Sequence, residues 1–264
     1  MNATTSTLIS DYKKHLMDAF FYIARDPTIN KCAGIAGSSF QVYGKLKSCP
    51  NNSWTFQIIP PWIIPIMGKK GYFENDQATL VIGGEISVTD CIFSKYNFFV
   101  SIVRNHNNSE NDRTYDSCCE EQKKCVNRIV RRFHFDTGAG KEFTLETNSH
   151  IQFGGLCHEK GAVEKYYGKP LHYCLDNKLD TPRIPHPPLD IILIFDLIIR
   201  QFETAVEREF VEKSEWINLV RGSEDFRLRK YYDQIEKYYK NKTAKHSKYR
   251  KTLFETMCDK DFEF

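Results

Sequence analysis

Residues 126–136, V-N-R-I-V-R-R-F-H-F-D, and residues 150–155, H-I-Q-F-G-G, decide how this chain folds. Apolar and polar residues alternate in both stretches, and side chains of a β-strand point to opposite faces in turn. Two strands are therefore expected, Val126–Asp136 and His150–Phe153. If they pair, Phe133, Phe135, Ile151 and Phe153 face a core, while His134, Asp136, His150 and Gln152 share the opposite face. Gly154-Gly155 then allows a backbone or a ligand to approach closely.

Working outward, the same texture extends back to Ser39. Phe40–Lys45, Trp54–Ile59, Thr79–Ser87 and Asn97–Arg104 are the other expected strands. Between them, Pro60-Pro61-Trp62-Ile63-Ile64-Pro65 reads as an extended apolar loop, since three prolines remove ladder donors. Its exposed apolar character would also suit a protein contact. Residues 105–123 are polar and aperiodic, an excursion between strands. Strands joined by loops, without regular strand–helix alternation, predict an α+β fold built on an antiparallel sheet.

Helices flank the sheet region. Leu8, Tyr12, Leu16, Phe20 and Ile23 recur at steps of three and four, which predicts an amphipathic helix over residues 6–24, closed by Asp26-Pro27. The segment Pro182-Arg183-Ile184-Pro185-His186-Pro187-Pro188 stiffens the approach to a long aliphatic helix. Within it Asp196, Arg200, Glu203 and Glu207 form one narrow polar stripe, so the helix is expected to be buried on most sides, across the sheet. It should continue, or kink and restart, through Phe210, Trp216, Ile217 and Val220 until Gly222 stops it.

The net charge of +3 conceals a segregation. Residues 221–251 hold eleven Lys/Arg against four Asp/Glu, a local +7, so the rest of the chain sums to −4. The expected organisation is a core domain over residues 1–220 and a basic helical extension over 221–264. In that extension charge interleaves with tyrosine. Arg229, Lys230, Lys237, Lys240, Lys248, Arg250 and Lys251 can neutralise phosphates, and Tyr238 can stack on unpaired bases. A solvated helix whose tyrosines pack back on the body is the plainer alternative.

Other classes recede. The N-terminus shows no basic region followed by an apolar stretch, so no secretory signal is read. Leu189–Ile199 is too short to span a bilayer and contains Asp190 and Asp196. Nine cysteines without a paired spacing fit reduced thiols in a cytoplasm. Cys157-His158 and His172-x-Cys174 do not match structural zinc spacing, and no metal or other cofactor is expected. No P-loop, dinucleotide fingerprint, nucleophile elbow or H-E-x-x-H occurs.

Two elements could carry chemistry. His134 and His150 across paired strands, with Asp136 fixing a tautomer and Gln152 as a substrate contact, would make an acid–base pair. Arg183 and His186 precede a helix whose free N–H groups favour an anion, and Arg183 could grip a phosphate. If that helix closes over the histidines, the two elements form one site.

The string H-I-Q-F-G-G (150–155), followed by T-P-R-I-P-H-P-P-L-D (181–190) and an aliphatic helix, resembles an uncharacterised bacterial family. Its members are built around H-x-[HQ]-x-G-G and P-R-[IL]-P. The resemblance covers roughly residues 126–205. It implies a setting in anti-phage defence, with some members encoded beside helicases. Gln152 stands where His is as frequent in that pattern, which favours pairing His134 with His150 over an H-x-H mechanism. The expected function is a nucleic-acid-interacting component of an anti-phage or toxin-like system, with RNA or DNA and a helicase or other defence subunit as partners and no membrane. The alternative is a metal-independent RNase or phosphodiesterase using His134 and His150.

Overall fold

A computed structural model describes residues 3–25, 47–49, 53–66, 77–89, 92–105, 127–137, 149–154, 157, 160–168, 171–172, 183–202, 204, 208–229, 231–233 and 235–236. An antiparallel sheet forms its centre. The strands are β1 (Lys47–Cys49), β2 (Ser53–Ile66), β3 (Gln77–Thr89), β4 (Ile92–Asn105), β5 (Asn127–Thr137), β6 (His150–Phe153), β7 (Leu171–His172) and β8 (Arg183–Pro185). Their order is β1-β2-β3-β4-β5-β6-β8, with the short β7 pairing in parallel to the start of β5. The α+β class, with an antiparallel sheet, is as expected. The expected strand Phe40–Lys45 and nearly all of the 105–123 excursion lie outside the described residues.

The helices are α1 (Ala3–Arg25), α2 (Lys160–Tyr167), α3 (Ile191–Gln201), α4 (Arg208–Glu212) and α5 (Ser214–Ser223), followed by a π-turn at Glu224–Leu228. Helices α1, α3, α4 and α5 contribute to one core with the sheet face that carries Trp54, Phe56, Leu80, Phe98 and Phe135. Alternation explains this face, because β4 sends Tyr96, Phe98, Val100 and Ile102 to it. Aromatic rings lock the layers. Trp62 meets Phe195 edge-on at 5.5 Å, and Phe195 meets Trp216 at 5.5 Å. Each such pair adds about 0.5–1.5 kcal/mol beyond its buried area. A smaller cluster of Ile63, Val81, Phe99, Val103, Ile129 and Leu171 lies on the other face.

Three expectations are corrected here. The Pro60–Pro65 run is not a loop: β2 continues through it, and Trp62 is fully buried. The ladder tolerates the prolines because the register shifts between Ile58 and Trp62, leaving Pro60 and Pro61 out of step with β3. Pro65 pairs with Thr79, beyond the residues that β1 reaches.

The long helix kinks and restarts, one of its two expected courses. α3 ends where Phe202 turns extended, Thr204 bridges Ile66, and helix resumes at Arg208. Of its expected polar stripe, Asp196 accepts from Arg200 Nε and Trp216 Nε1, both at 2.8 Å, while Glu203 and Glu207 lie outside the described residues.

Gly222 does not stop α5, which passes through it into the π-turn, where Arg229 N–H reaches Glu224 O. The glycine is there for proximity, since a Cβ on it would lie 2.5 Å from His15 Cε1 of α1. The expected domain boundary at 220/221 falls inside this helix, and Ser223, Arg227 and Tyr231 beyond it are buried. They continue the face of Trp216 and Val220 at helical spacing.

Candidate functional site

β5 is the axis of the site. His134 pairs with Gln152 and Asp136 with His150, so all four residues occupy the sheet face turned away from α3. Phe133 and Phe153 meet on the other face, their rings 5.4 Å apart. The two histidines are diagonal neighbours. Diagonal Cα atoms lie about 7–8 Å apart, against about 4.5–5.5 Å for residues directly opposite.

A polar row crosses the sheet at this level. Gln57, Glu85, Asn97, Asp136 and His150 are successive register partners on β2 to β6. Gln57 Nε2 donates to Glu85 Oε2 at 2.5 Å. His134, one step along β5, is held from two sides: Nδ1 lies 3.1 Å from Asp136 Oδ2 and Nε2 lies 2.6 Å from Asn97 Oδ1. The side chains of His134 and Asp136 are 12% and 23% exposed, so solvent reaches the pair. His150 is 2% and Gln152 5% exposed. His134 is thus the histidine positioned to meet a ligand, and His150 lies beneath the surface.

The end of β6 is clamped by Arg132. Its guanidinium donates to Gly154 O at 2.7 Å, its own carbonyl accepts from Gly154 N–H at 2.9 Å, and it lies 5.2 Å from the centre of the Phe99 ring. Gly154 has φ +87°, a conformation that favours glycine and turns the chain away after four strand residues.

The second expected element divides. Arg183 is the register partner of Gln152, so its backbone adjoins the histidine strands. His186 does not join them. Its Nδ1–H donates to Pro187 O at 2.6 Å, and its ring packs edge-on against Phe135 at 6.0 Å, on the helix side. Burial holds the His186 imidazole below its ordinary range, against the opposing pull of the Pro187 carbonyl.

The helix N-terminus is also not an anion site. Asp190, fully buried, caps α3 with Oδ1 3.0 Å from both Ile192 N and Leu193 N. α3 packs on the Phe135 face, opposite His134, so the expected closure of helix over histidines does not occur.

Asp190 belongs to a polar cluster that no sequence expectation contained. Its Oδ2 accepts from Tyr12 Oη at 3.0 Å. Arg227, 2% exposed, sets its guanidinium 5.2 Å from the Tyr96 ring and 6.0 Å from the Tyr12 ring. Burial, reinforced by Asp190, pushes the Tyr12 hydroxyl well above its ordinary range, and burial does the same to Tyr96. Beside them His15 Nε2 lies 3.0 Å from Ser223 Oγ.

Of the expected phosphate-binding residues, Arg229 is exposed at the end of the π-turn. Lys230, Lys237, Tyr238, Lys240, Lys248, Arg250 and Lys251 lie outside the described residues. So do His158, Cys174 and the side chain of His172, which leaves the half-buried Cys157 from that group. Among the described residues no cluster of His, Cys, Asp and Glu is arranged to hold a metal ion, and no helix is long and apolar enough to cross a membrane. Comparison of the chain with family models, curated proteins and solved structures gives no match.

Proposed function

We propose that this chain is a nucleic-acid-interacting component of a bacterial anti-phage or toxin-like system, acting in the cytoplasm on RNA or DNA, beside a helicase or another defence subunit. The reading rests on one observation above the others. Half-buried Asn97, His134 and Asp136 and the buried Gln152 share the sheet face opposite the one on which α1, α3, α4 and α5 pack, with Arg183 one strand away in register. Amide and imidazole groups on a sheet face can hydrogen-bond base edges and phosphate oxygens. Residues 221–251 carry +7, and with Arg227 buried the remaining +6 is the source of the non-specific attraction that such weak contacts need.

The test is binding of labelled single-stranded RNA and DNA to the full chain across a salt series. Lys237, Lys240, Lys248, Arg250 and Lys251 changed together to Glu should lower affinity and flatten the salt dependence. Equal affinity and slope in that variant overturn the contribution of the basic segment.

A second reading, metal-independent phosphodiester cleavage, is favoured by the His134–Asp136 contact. A carboxylate on Nδ1 is the arrangement that orients an imidazole for proton transfer. Cleavage of RNA in excess chelator, lost in His134→Ala and in His134/His150 double variants that still fold, is the expected outcome. No cleavage by the intact chain sinks this reading and leaves the binding one standing.

A further inference from the structure

The partners of His134 differ in a way that bears on what can bind there. Nδ1 is held by a carboxylate two residues along the same strand, Asp136. Nε2 is held by a neutral carboxamide, the Oδ1 of Asn97 on β4. The Asn97 oxygen can only accept, so His134 Nε2–H is the donor on that side. Asp136 presents a charged oxygen to Nδ1 and Asn97 a neutral one to Nε2, so Asn97 is the partner that an anionic acceptor can outcompete. Any group that engages His134 therefore does so at Nε2, by taking the place of the Asn97 oxygen. An anionic oxygen is the stronger acceptor and wins that exchange.

We propose that Asn97 is a place-holder for a phosphoryl oxygen: its carboxamide occupies the acceptor position at His134 Nε2, and a phosphodiester displaces it. This rests on the nucleic-acid reading above and narrows it, because it makes phosphate rather than a base edge the group that His134 receives. Asn97 is half-buried at the level of the sheet surface, so its side chain can turn outward without uncovering the core. Glu85, its neighbour in register on β3, is engaged by Gln57 and stays in place.

The prediction runs opposite to that for an ordinary supporting residue. Removing a competitor should tighten binding, and strengthening it should block binding. Isothermal titration of the full chain with inorganic phosphate, and separately with a single-stranded RNA oligonucleotide, should give about tenfold lower Kd for Asn97→Ala, since a hydrogen bond to a charged group is worth roughly that factor. Asn97→Asp, whose carboxylate cannot be displaced as easily, should bind at least tenfold more weakly than the parent. His134→Ala should abolish the phosphate signal.

Asn97→Ser guards against a folding failure of the alanine variant and should fall between parent and Ala. Each variant is first checked for an unchanged tryptophan emission spectrum. Weaker phosphate and RNA binding in both Asn97→Ala and Asn97→Ser, with the parent binding well, overturns the place-holder and leaves the nucleic-acid reading intact. RNA binding that His134→Ala does not weaken overturns the place-holder too. Failure of every form to bind RNA overturns both.

Discussion

Two polar clusters sit on opposite faces of one sheet, and they are built differently. The Asp190–Tyr12–Arg227 cluster, on the helix face, draws on α1, the α3 cap and the π-turn, and Asp190 and Arg227 are 0% and 2% exposed. The Asn97–His134–Asp136 cluster, on the other face, draws on adjacent strands and keeps His134 and Asp136 within reach of solvent. Burying charge costs far more than leaving it at a surface. The first cluster is tolerable because Asp190 accepts from Tyr12 and from the α3 backbone and the Arg227 guanidinium lies over the Tyr12 and Tyr96 rings, and it ties helices to sheet. The second, which solvent reaches, is where a ligand is proposed to replace Asn97. The comparison teaches that burial, and not the density of titratable groups, separates a fastening from a site.

The sharpest way to break this contrast is Asp190→Ala. It removes the acceptor for Ile192 N, Leu193 N and Tyr12 Oη together. A lost cap costs about 1 kcal/mol and a buried unsatisfied hydroxyl about 1–3 kcal/mol, so a loss of about 2–4 kcal/mol is expected in urea unfolding. A variant within 1 kcal/mol of the parent would show that the cluster fastens nothing.

Next in size is Gly222→Ala. The added Cβ meets His15 Cε1 at 2.5 Å and must displace that ring from its place beside Ser223, at a cost of about 1–3 kcal/mol. Gly222→Ala combined with His15→Ala should recover part of that loss, since the clash then has no ring to meet. No recovery in the double variant would place the strain elsewhere.

A pH series distinguishes the faces without any mutation. Burial holds His15 below its ordinary range despite Asp190, a backbone bond at Leu219 and Asp18, and burial also holds His186 low. Both belong to the helix side. A histidine whose folded pKa is depressed is neutral in both states at high pH. As pH falls below about 6.5 the unfolded chain takes up protons first, and stability is lost until the folded pKa is passed. The urea midpoint should therefore drop between pH 7.5 and 5.5, and His15→Gln should make the drop shallower. The raised hydroxyls of Tyr12 and Tyr96 act at the other end: stability should fall above about pH 10, where tyrosines of the unfolded chain ionise. A midpoint that is flat across both windows would contradict the account of the sealed cluster.

What the sequence revealed follows the same division. Strict alternation in Phe133–Asp136 and His150–Phe153 was enough to put His134, Asp136, His150 and Gln152 on one face, because period two leaves no other option once the strands pair. Alternation does not say which face a distant helix covers, so α3 was expected over the histidines and lies against Phe135. Asn97 was missed because its nearness to His134 depends on the β4–β5 register, which is not written in either strand alone. Asp190 did carry a signal: an Asp directly before an aliphatic run is an N-cap, and a capped helix has few free N–H groups left for an anion. Arg227 was read as one of a basic run, yet Trp216, Val220, Ser223, Arg227 and Tyr231 follow at steps of four, three, four and four, a buried face that charge counting overlooks.

The smallest expected effect on stability belongs to the face proposed to bind. His134→Ala breaks a partly exposed pair with Asp136 and a bond to Asn97, and such pairs contribute about 0–1 kcal/mol. Its unfolding midpoint should stay close to that of the parent while its affinity for phosphate disappears. Asp190→Ala should do the reverse, losing stability while the folded fraction still binds. The pair of variants is the cleanest test of the contrast, because each cluster predicts a different loss. If His134→Ala instead unfolds the chain as severely as Asp190→Ala, the open cluster is a fastening as well, and the ligand must be sought elsewhere on the sheet.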